Sequence, residues 1–286
     1  VCSFNDDIQG TASVAVAGVF SALRVTRKKM TEQTFLCLGA GEAATGISDL
    51  LVSAMVDEGM AEPDARRRCW MVDSKGLVVA SRSGLAEHKK PYAHDHGPVP
   101  DFLGAVKSLK PTAIIGVGAT PGMFTLEVIE EMSRLNERPI VFALSNPTSK
   151  AECTAEQAYA WSSGKALFAS GSPFDPATYE GRRYVPRQGN NSYIFPGVGL
   201  GVVAVRSTRV TDEMFMAAAR TLAASVGEDD LAQGSLYPPL NRVRDVSAHI
   251  ATSVAEVAFR NGLAEIDRPD DVLEYIRSQM YEPVYT

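Results

Sequence analysis

The sequence predicts an α/β fold, with a doubly wound, mainly parallel sheet over residues 4–190 and a helical part over residues 191–286. Short apolar runs rich in β-branched and aromatic residues recur in the first region, separated by longer segments with apolar residues at helical spacing. Because these short runs are apolar throughout rather than alternating, they are typical of strands covered by helices on both faces. After about residue 190 only helical periodicity continues. This order favours a parallel sheet followed by helices.

The predicted elements alternate along the chain. A helix is expected to open at residues 11–20, ahead of strands at 34–38, 69–73, 112–117, 140–145 and 166–170. Helical segments at 48–60, 122–136 and 154–162 lie between strands, and each is long enough to form a right-handed crossover. The C-terminal part is predicted to hold helices at 211–226, 243–262 and 270–280.

The composition limits the classes of partner. Of 286 residues, 45% are hydrophobic and 22% are charged, which is typical of a soluble globular protein. The net charge is −6 with acidic and basic residues interspersed, whereas a nucleic-acid surface needs clustered Lys and Arg. No apolar run approaches the roughly 20 residues of a membrane helix. We therefore expect a small-molecule ligand, and neither nucleic acid nor a membrane.

The use of cysteine indicates a reducing compartment. The four cysteines are far apart and form no C-x-x-C pair, and two of them lie in apolar strand-like runs. Cysteine in such runs usually acts as a small hydrophobic residue. We therefore expect the cytoplasm or the mitochondrial matrix.

A glycine-rich loop follows the first predicted strand and opens a helix. The segment 39–44 reads Gly-Ala-Gly-Glu-Ala-Ala, which is the G-x-G-x-x-A form of the dinucleotide-binding fingerprint. Gly39 is expected to make the tight turn, Gly41 to let a pyrophosphate approach the backbone, and Ala44 to allow close helix–strand packing. Glu42 and Ala43 lie at the same helix start, whose amides favour phosphate. A plain strand-to-helix turn is the alternative, but the context predicts a Rossmann-type NAD(P) site.

A second glycine loop, residues 116–122, ends the third predicted strand. Because the carboxyl ends of parallel strands share one edge of the sheet, Gly118 and Ala119 are expected to line the same cofactor cleft. An ordinary strand-to-helix turn is the alternative for this loop.

The end of the second predicted strand carries the features that discriminate NADP from NAD. Asp73 stands where an acid normally accepts hydrogen bonds from the ribose hydroxyls of NAD. Ser74 and Lys75 follow it, and further cations lie within reach of the same edge: Arg82, His88, Lys89 and Lys90. These cations offer enough positive charge to accept a 2′-phosphate. Solvated surface cations are the alternative.

Two adjacent aspartates, Asp6 and Asp7, stand almost at the start of the sequence, in the run Asn-Asp-Asp-Ile-Gln-Gly-Thr over 5–11. Aspartate is a hard oxygen ligand for Mg²⁺ or Mn²⁺, although such ions need several ligands. The alternative is that the pair caps the apolar helix that follows. We expect the chain to begin in the middle of a site.

Four motifs, read in order, give the chain a resemblance to malic enzymes. They are the run at 5–11, the glycine loop at 39–46, Ser-Asn-Pro-Thr at 145–148 and Gln-Gly-Asn-Asn at 188–191. Malic enzymes oxidise L-malate with NAD(P)⁺ and decarboxylate the product to pyruvate, using Mn²⁺ or Mg²⁺. The resemblance covers nearly the whole chain, and it implies an oxidoreductase that commonly forms dimers or tetramers.

The resemblance also implies roles for individual residues. Asp7 would be a metal ligand, and Asp6 its catalytic neighbour. Asn146 and Asn191 would hydrogen-bond the malate carboxylates, with Asn190 beside them, and Asn146 and Asn190 would also meet the cofactor. Turn chemistry is the alternative for Asn146 and Asn191.

For the cofactor, the resemblance favours NADP, with NAD still possible. A Lys at the position of Lys89 accompanies NADP preference in the family, and Ser74 follows the strand-end acid as in NADP forms. The histidines of His94-Asp95-His96 are expected to be solvated rather than to bind metal, because a metal site needs three or four ligands.

The resemblance also predicts whether this chain has catalytic activity on its own. In malic enzymes the catalytic Tyr and Lys precede the Asn-Asp-Asp motif, and the segment matching 191–286 packs on that N-terminal region. We therefore expect this chain alone to be inactive. A nucleotide-binding or regulatory module without turnover is the alternative function, and an amino-acid dehydrogenase is a rival enzyme class that leaves the Asn-Asp-Asp motif unexplained.

Overall fold

The computed structural model describes residues 2–281. Its main sheet has six strands in the order β3-β2-β1-β4-β5-β6. The strands are β1 (Phe35–Leu38), β2 (Cys69–Asp73), β3 (Gly76–Leu77), β4 (Ala113–Gly116), β5 (Ile140–Ala143) and β6 (Leu167–Ser170). A separate hairpin pairs β7 (Ala177–Tyr179) with β8 (Arg182–Tyr184). The five predicted strands are confirmed, and all five pair in parallel.

The α-helices of the described residues cover both faces of this sheet. They are α1 (Thr11–Thr26), α2 (Glu42–Asp57), α3 (Glu62–Arg66), α4 (Phe102–Leu109), α5 (Leu126–Leu135), α6 (Ala155–Trp161), α7 (Phe195–Ala204), α8 (Asp212–Ala224), α9 (Glu228–Ala232), α10 (Val243–Arg260) and α11 (Val272–Ser278). The predicted Rossmann-type sheet followed by a helical C-terminal part is confirmed.

Alternate residues of each strand enter two different cores. In β1, Phe35 and Cys37 join the core that includes α1, α2 and the C-terminal helices, whereas Leu36 and Leu38 join the core of α4, α5 and α6. Each of these four strand residues is at most 6% exposed. Burial on both faces is why the strands are apolar throughout rather than alternating.

The C-terminal helices pack on the sheet domain. Helix α10 packs against α7 and α8, and α8 in turn packs against α1. One hydrophobic core therefore contains residues from both sides of the predicted boundary at 190/191. The division into 4–190 and 191–286 stays a prediction.

Helix α1 corrects one expectation about apolar runs. Residues 6–26 form a helical stretch whose length and mean hydropathy of 1.3 would suffice to cross a membrane. The continuous apolar run in the sequence is shorter than this helical stretch, because Asp6, Asp7 and several small polar residues interrupt it. In the fold, 67% of an 18-residue window of that stretch is buried, and α1 packs between α2 and α8. Helix α1 is therefore a helix of the hydrophobic core in this fold.

Several short elements were not predicted. Strand β3 has two residues and pairs antiparallel with β2 after a turn at Ser74 and Lys75. It begins at Gly76, whose φ of +96° suits glycine. Helix α3 lies between the predicted helix at 48–60 and the predicted strand at 69–73, with Pro63 in its first turn. Helix α7 contains three glycines, a composition that lowers helix propensity, and packing against α10 stabilises it.

Candidate functional site

The first glycine loop joins β1 to α2 at the carboxyl edge of the sheet. Gly39 has a φ of +122°, and a Cβ there would lie 3.0 Å from the backbone nitrogen of Gly118. Gly41 is the extended residue before α2, and a Cβ on it would meet no protein atom within 4 Å. The first amides of α2, which include those of Glu42, Ala43 and Ala44, have no acceptor inside the helix. The backbone at Gly41 therefore faces open space beside the N-terminus of α2, an arrangement that favours binding of a phosphate group.

The second glycine loop packs directly on the first. The Val117 amide donates to the Leu38 carbonyl over 2.9 Å, and a Cβ on Gly118 would lie 3.1 Å from that same oxygen. Ala119 has a left-handed φ of +50°, and its amide donates to Oγ of Ser145 over 2.9 Å. Both loops meet where the strand order reverses, between β1 and β4, which is where dinucleotides bind in such folds.

The two loops enclose a cleft of about 870 Å³. This volume is within the range of about 300–1,000 Å³ that is common for small-molecule sites. Its lining includes most of the predicted cofactor residues, namely Gly39, Gly41, Asp73, Ser74, Lys89, Gly118 and Ala119. Lys75, Glu42, Ala43, Ala44, Asn146 and Asn190 are not among the lining residues.

Asp73 sits at the end of β2 between two cations. Its Oδ2 lies 2.8 Å from Nζ of Lys89 and 3.0 Å from Nη2 of Arg82, and its Oδ1 accepts the Lys75 amide over 2.9 Å. Burial alone would raise the pKa of this carboxyl, but the hydrogen bonds from Arg82, Lys89 and the Lys75 amide outweigh it and lower the pKa to about 2. Lys89 lines the cleft, whereas Arg82 supports Asp73 from behind and donates to two backbone carbonyls.

The segment that carries Lys89 is anchored over the first glycine loop. Nε2 of His88 lies 3.1 Å from the Ala40 carbonyl. Tyr92, which is 1% exposed, donates its hydroxyl to Asp49 on α2 over 2.5 Å, and Arg66 contacts both groups. Sequence reasoning named His88 only as a nearby cation and missed the anchor, because Tyr92 and Asp49 are 43 positions apart.

The pKa of Asp73 gives a prediction about acid stability. Because the folded pKa of about 2 lies below the reference value of 3.8, Asp73 stabilises the fold above pH 4, and this contribution is lost as the pH falls from about 4 to 2. We expect Asp73→Asn to be less stable than the parent at pH 7, with the difference vanishing near pH 2. Urea unfolding at several pH values measures it. An equal difference at pH 7 and pH 2 would contradict the role of the carboxylate charge.

Asp6 and Asn191 form a second group, which is separate from the residues that line the cleft. The Nδ2 of Asn191 donates to the backbone oxygen and to Oδ2 of Asp6, both over 3.1 Å. Oδ1 of Asn191 accepts the Thr11 hydroxyl over 3.3 Å. Oδ1 of Asp6 is buried without a hydrogen-bond partner. The cap of this helical segment is Asn5, whose side chain accepts the Ile8 amide over 3.2 Å, so the aspartates themselves do not cap it.

The other two predicted asparagines lie at the same edge of the sheet. Asn146 follows β5 and is exposed. The Ser170 carbonyl at the end of β6 accepts the Gly189 amide over 2.7 Å, which places Asn190 beside that strand end. Oδ1 of Asn190 accepts the Ser192 amide over 2.9 Å, so this side chain caps a helical turn. Substrate contacts for Asn146, Asn190 and Asn191 stay predictions.

The described residues do not fit a complete Mn²⁺ or Mg²⁺ site. Asp7 is exposed, and residues 2–281 contain no cluster of three or more His, Cys, Asp or Glu side chains that could hold a metal ion. These ions need several oxygen ligands. His94 and His96 are half-buried rather than fully solvated, because both rings pack edge-on against Trp70, with centroids 4.7 and 5.7 Å away.

Comparison with known proteins decides the family. The model of a family described as "Malic enzyme, NAD binding domain" matches residues 8–259. The chain belongs to the malic enzyme family. The match covers both glycine loops, Asp73, Lys89 and the three predicted asparagines.

Malic enzymes from distant organisms match almost the whole chain. It is 51% identical to NADP-dependent malic enzyme 2 of Arabidopsis thaliana and to the NADP-dependent malic enzyme of Rattus norvegicus, with 99% of the chain aligned in both cases. The alignments cover 48% and 50% of those proteins, so the chain spans about half their length.

Solved structures of malic enzymes share the fold. The crystal structure from Entamoeba histolytica superposes with a TM-score of 0.79 at 26% identity, covering 98% of this chain and 54% of that one. The structure from Pyrococcus horikoshii gives a TM-score of 0.74 at 28% identity, covering 98% and 60%.

Proposed function

We propose that this chain is the cofactor-binding part of an enzyme that oxidises L-malate and decarboxylates it to pyruvate and CO₂, with reduction of NADP⁺. The observation that carries the proposal is the cleft at the switch point, where Gly41 leaves open backbone and Lys89 lies 2.8 Å from Asp73. Bound NADP⁺ would supply the hydride acceptor.

The preference for NADP rests on the charge around Asp73. A free carboxylate at this position would repel a 2′-phosphate, but here Arg82 and Lys89 neutralise it. Lys89 lines the cleft and is only 21% exposed, so its ammonium can pair with a phosphate in a partly desolvated setting. The relatives named above are called NADP-dependent, in agreement with this proposal.

We assign the substrate to the second group of residues. Asn146 and Asn191, with Asn190 beside them, would donate amide hydrogen bonds to the carboxylates of malate without adding charge. For Asn191 this requires malate to replace one of the two hydrogen bonds that its amide donates to Asp6. Asp6 is placed against Asn191 and would keep that amide oriented. Asp7 would contribute a single ligand to a divalent ion. We derive no step through the ion, because the described residues do not complete its site.

The assembly and the compartment are further proposals. We propose a homo-oligomer, a dimer or a tetramer, in the cytoplasm or the mitochondrial matrix. All four cysteines are free, and Cys37, Cys69 and Cys153 are buried, which suits a reducing compartment.

The test is malate-dependent formation of NADPH by the protein that carries this chain, with Mn²⁺ supplied. We expect pyruvate and NADPH to form in equal amounts. Binding of NADP⁺ without any malate-dependent reduction would contradict the proposed reaction and would favour a nucleotide-binding or regulatory module. Absence of nucleotide binding would contradict both functions.

A further inference from the structure

A buried carboxyl group lies beneath the second glycine loop and outside the cleft. Glu152 is 0% exposed. The Ser145 hydroxyl donates to its Oε1 in a short hydrogen bond, and the Ser145 amide lies 3.4 Å from its Oε2. Burial raises the pKa of Glu152, and the hydrogen bonds from Ser145 oppose that rise. Among residues 2–281, no Lys, Arg or His forms an ion pair with this carboxyl.

The surrounding backbone encloses Glu152 tightly. It packs on Gly116 at the end of β4, where an added Cβ would lie 2.3 Å from the carboxyl carbon. The Phe124 amide donates to the Glu152 carbonyl over 3.0 Å, and the Gly122 amide donates to the Ala151 carbonyl over 3.1 Å. The segment around Glu152 therefore holds the far end of the second glycine loop through its backbone.

The side chain of Glu152 reaches the near end of the same loop through Ser145. The Ser145 hydroxyl has one hydrogen, and because Glu152 accepts it, a lone pair of Oγ is left to accept the Ala119 amide over 2.9 Å. Ala119 holds a left-handed backbone conformation that an L-residue rarely adopts without support. Ser145 directly precedes Asn146, so the same hydroxyl links the cofactor loop to the loop assigned to the substrate.

A buried carboxyl without a cation is costly, and an apolar side chain would fill the same space without that cost. What the carboxyl adds is two acceptor oxygens for the amide and the hydroxyl of one residue. We propose that Glu152 is a positioning residue that, through Ser145, holds the second glycine loop and Asn146 at a fixed spacing. Its effect on malate turnover rests on the proposed function, whereas its effect on loop order does not.

The experiment compares Glu152→Gln with Glu156→Gln in the purified protein. Glu156 lies four residues further on, in α6, and is exposed, so its substitution makes the same charge change without touching the loops. In Glu152→Gln an amide NH₂ must face either the hydroxyl or the amide of Ser145. We expect hydrogen exchange at the Ala119 amide to be about threefold to tenfold faster in Glu152→Gln only.

Kinetics provide the second measurement. We expect Glu152→Gln to raise KM for malate and lower kcat, with kcat/KM reduced about tenfold to a hundredfold, while the Kd for NADP⁺ changes less than about threefold. Ala119 lines one side of the cofactor cleft, but the first glycine loop and Lys89 on its other side are untouched by this change. We therefore expect the affinity for NADP⁺ to fall much less than kcat/KM for malate. If Glu152 had a purely structural role, its substitution would lower thermal stability without changing the kinetic constants for malate more than the Kd for NADP⁺. Ser145→Ala removes the hydroxyl that links Glu152 to Ala119, so it should produce the same changes in KM, kcat and Kd.

The proposal would be overturned if the Ala119 amide exchanged at the same rate in Glu152→Gln as in Glu156→Gln. Unchanged KM and kcat in both Glu152→Gln and Ser145→Ala would also overturn it. If the parent protein shows no malate-dependent activity, the proposed function fails, and the exchange rates alone decide whether Glu152 positions the loops.

Discussion

Replacing Gly41 with valine is expected to abolish binding of NADP⁺ and NAD⁺ while leaving the fold intact. A Cβ at Gly41 meets no protein atom within 4 Å, so the folded protein has room for the larger side chain. The backbone before α2 has a φ of −88° and a ψ of −172°, an extended conformation that valine adopts readily. The same side chain would occupy the space in which a pyrophosphate must approach the backbone. We expect affinity for both nucleotides to fall by more than about a hundredfold.

Calorimetric titration and thermal unfolding together measure this effect. Loss of a favourable residue at the helix N-cap costs about 1 kcal/mol, so the unfolding midpoint should fall by only a few degrees. Gly97→Val is the matched control, because Gly97 is exposed in a loop and also has no neighbour within 4 Å. Nucleotide binding by Gly41→Val at parental affinity would show that the phosphates lie elsewhere.

Replacing Lys89 with alanine is expected to reduce selectively the affinity for NADP⁺. A hydrogen bond between a charged donor and a phosphate contributes about 1.5–3 kcal/mol, which corresponds to a loss of about tenfold to a hundredfold. Among residues 2–281 the change also leaves Arg82 as the one side-chain cation paired with Asp73, so the carboxylate repels a 2′-phosphate more strongly. NAD⁺ has no such phosphate, and its affinity should change by less than about threefold.

Lys90→Ala is the control for this change. Lys90 is the next residue and 56% exposed, and its ammonium pairs with Glu87 rather than with Asp73. Surface ion pairs of this kind contribute little, so the control should bind both nucleotides as the parent does. Equal losses for NADP⁺ and NAD⁺ in Lys89→Ala would contradict the assignment of Lys89 to the 2′-phosphate.

The sheet could be predicted because its pattern is local. Five strands buried on both faces leave continuous apolar runs, and their parallel order follows from the helices between them. Strand β3 was missed because its two residues are too few for periodicity to show. Helix α4 was missed because Gly104 lies inside it and Pro100 and Pro111 stand near its two ends, residues that are typical of loops. Helix α7 was missed because its stability comes from packing against α10, which no local pattern reports.

The part of the candidate site that lies directly after strands could be predicted from the sequence, and the side-chain links that support it could not. The glycine loops and Asp73 stand directly after strands, so their positions at one edge follow from the topology alone. The links through Ser145 to Glu152 and through Tyr92 to Asp49 depend on side-chain contacts between elements. Nothing in the spacing of those residues marks them, since a glutamate or a tyrosine in an amphipathic stretch is ordinary composition.

Competitive calorimetric titration of the unmodified protein with NADP⁺ and NAD⁺ tests the central claim most directly. The claim is that the cleft between the two glycine loops binds a nicotinamide dinucleotide and that the cations around Asp73 accept its 2′-phosphate. We expect both nucleotides to compete for one site, with NADP⁺ bound at least about tenfold more tightly. Equal affinity for the two nucleotides, or binding of neither, would contradict the claim.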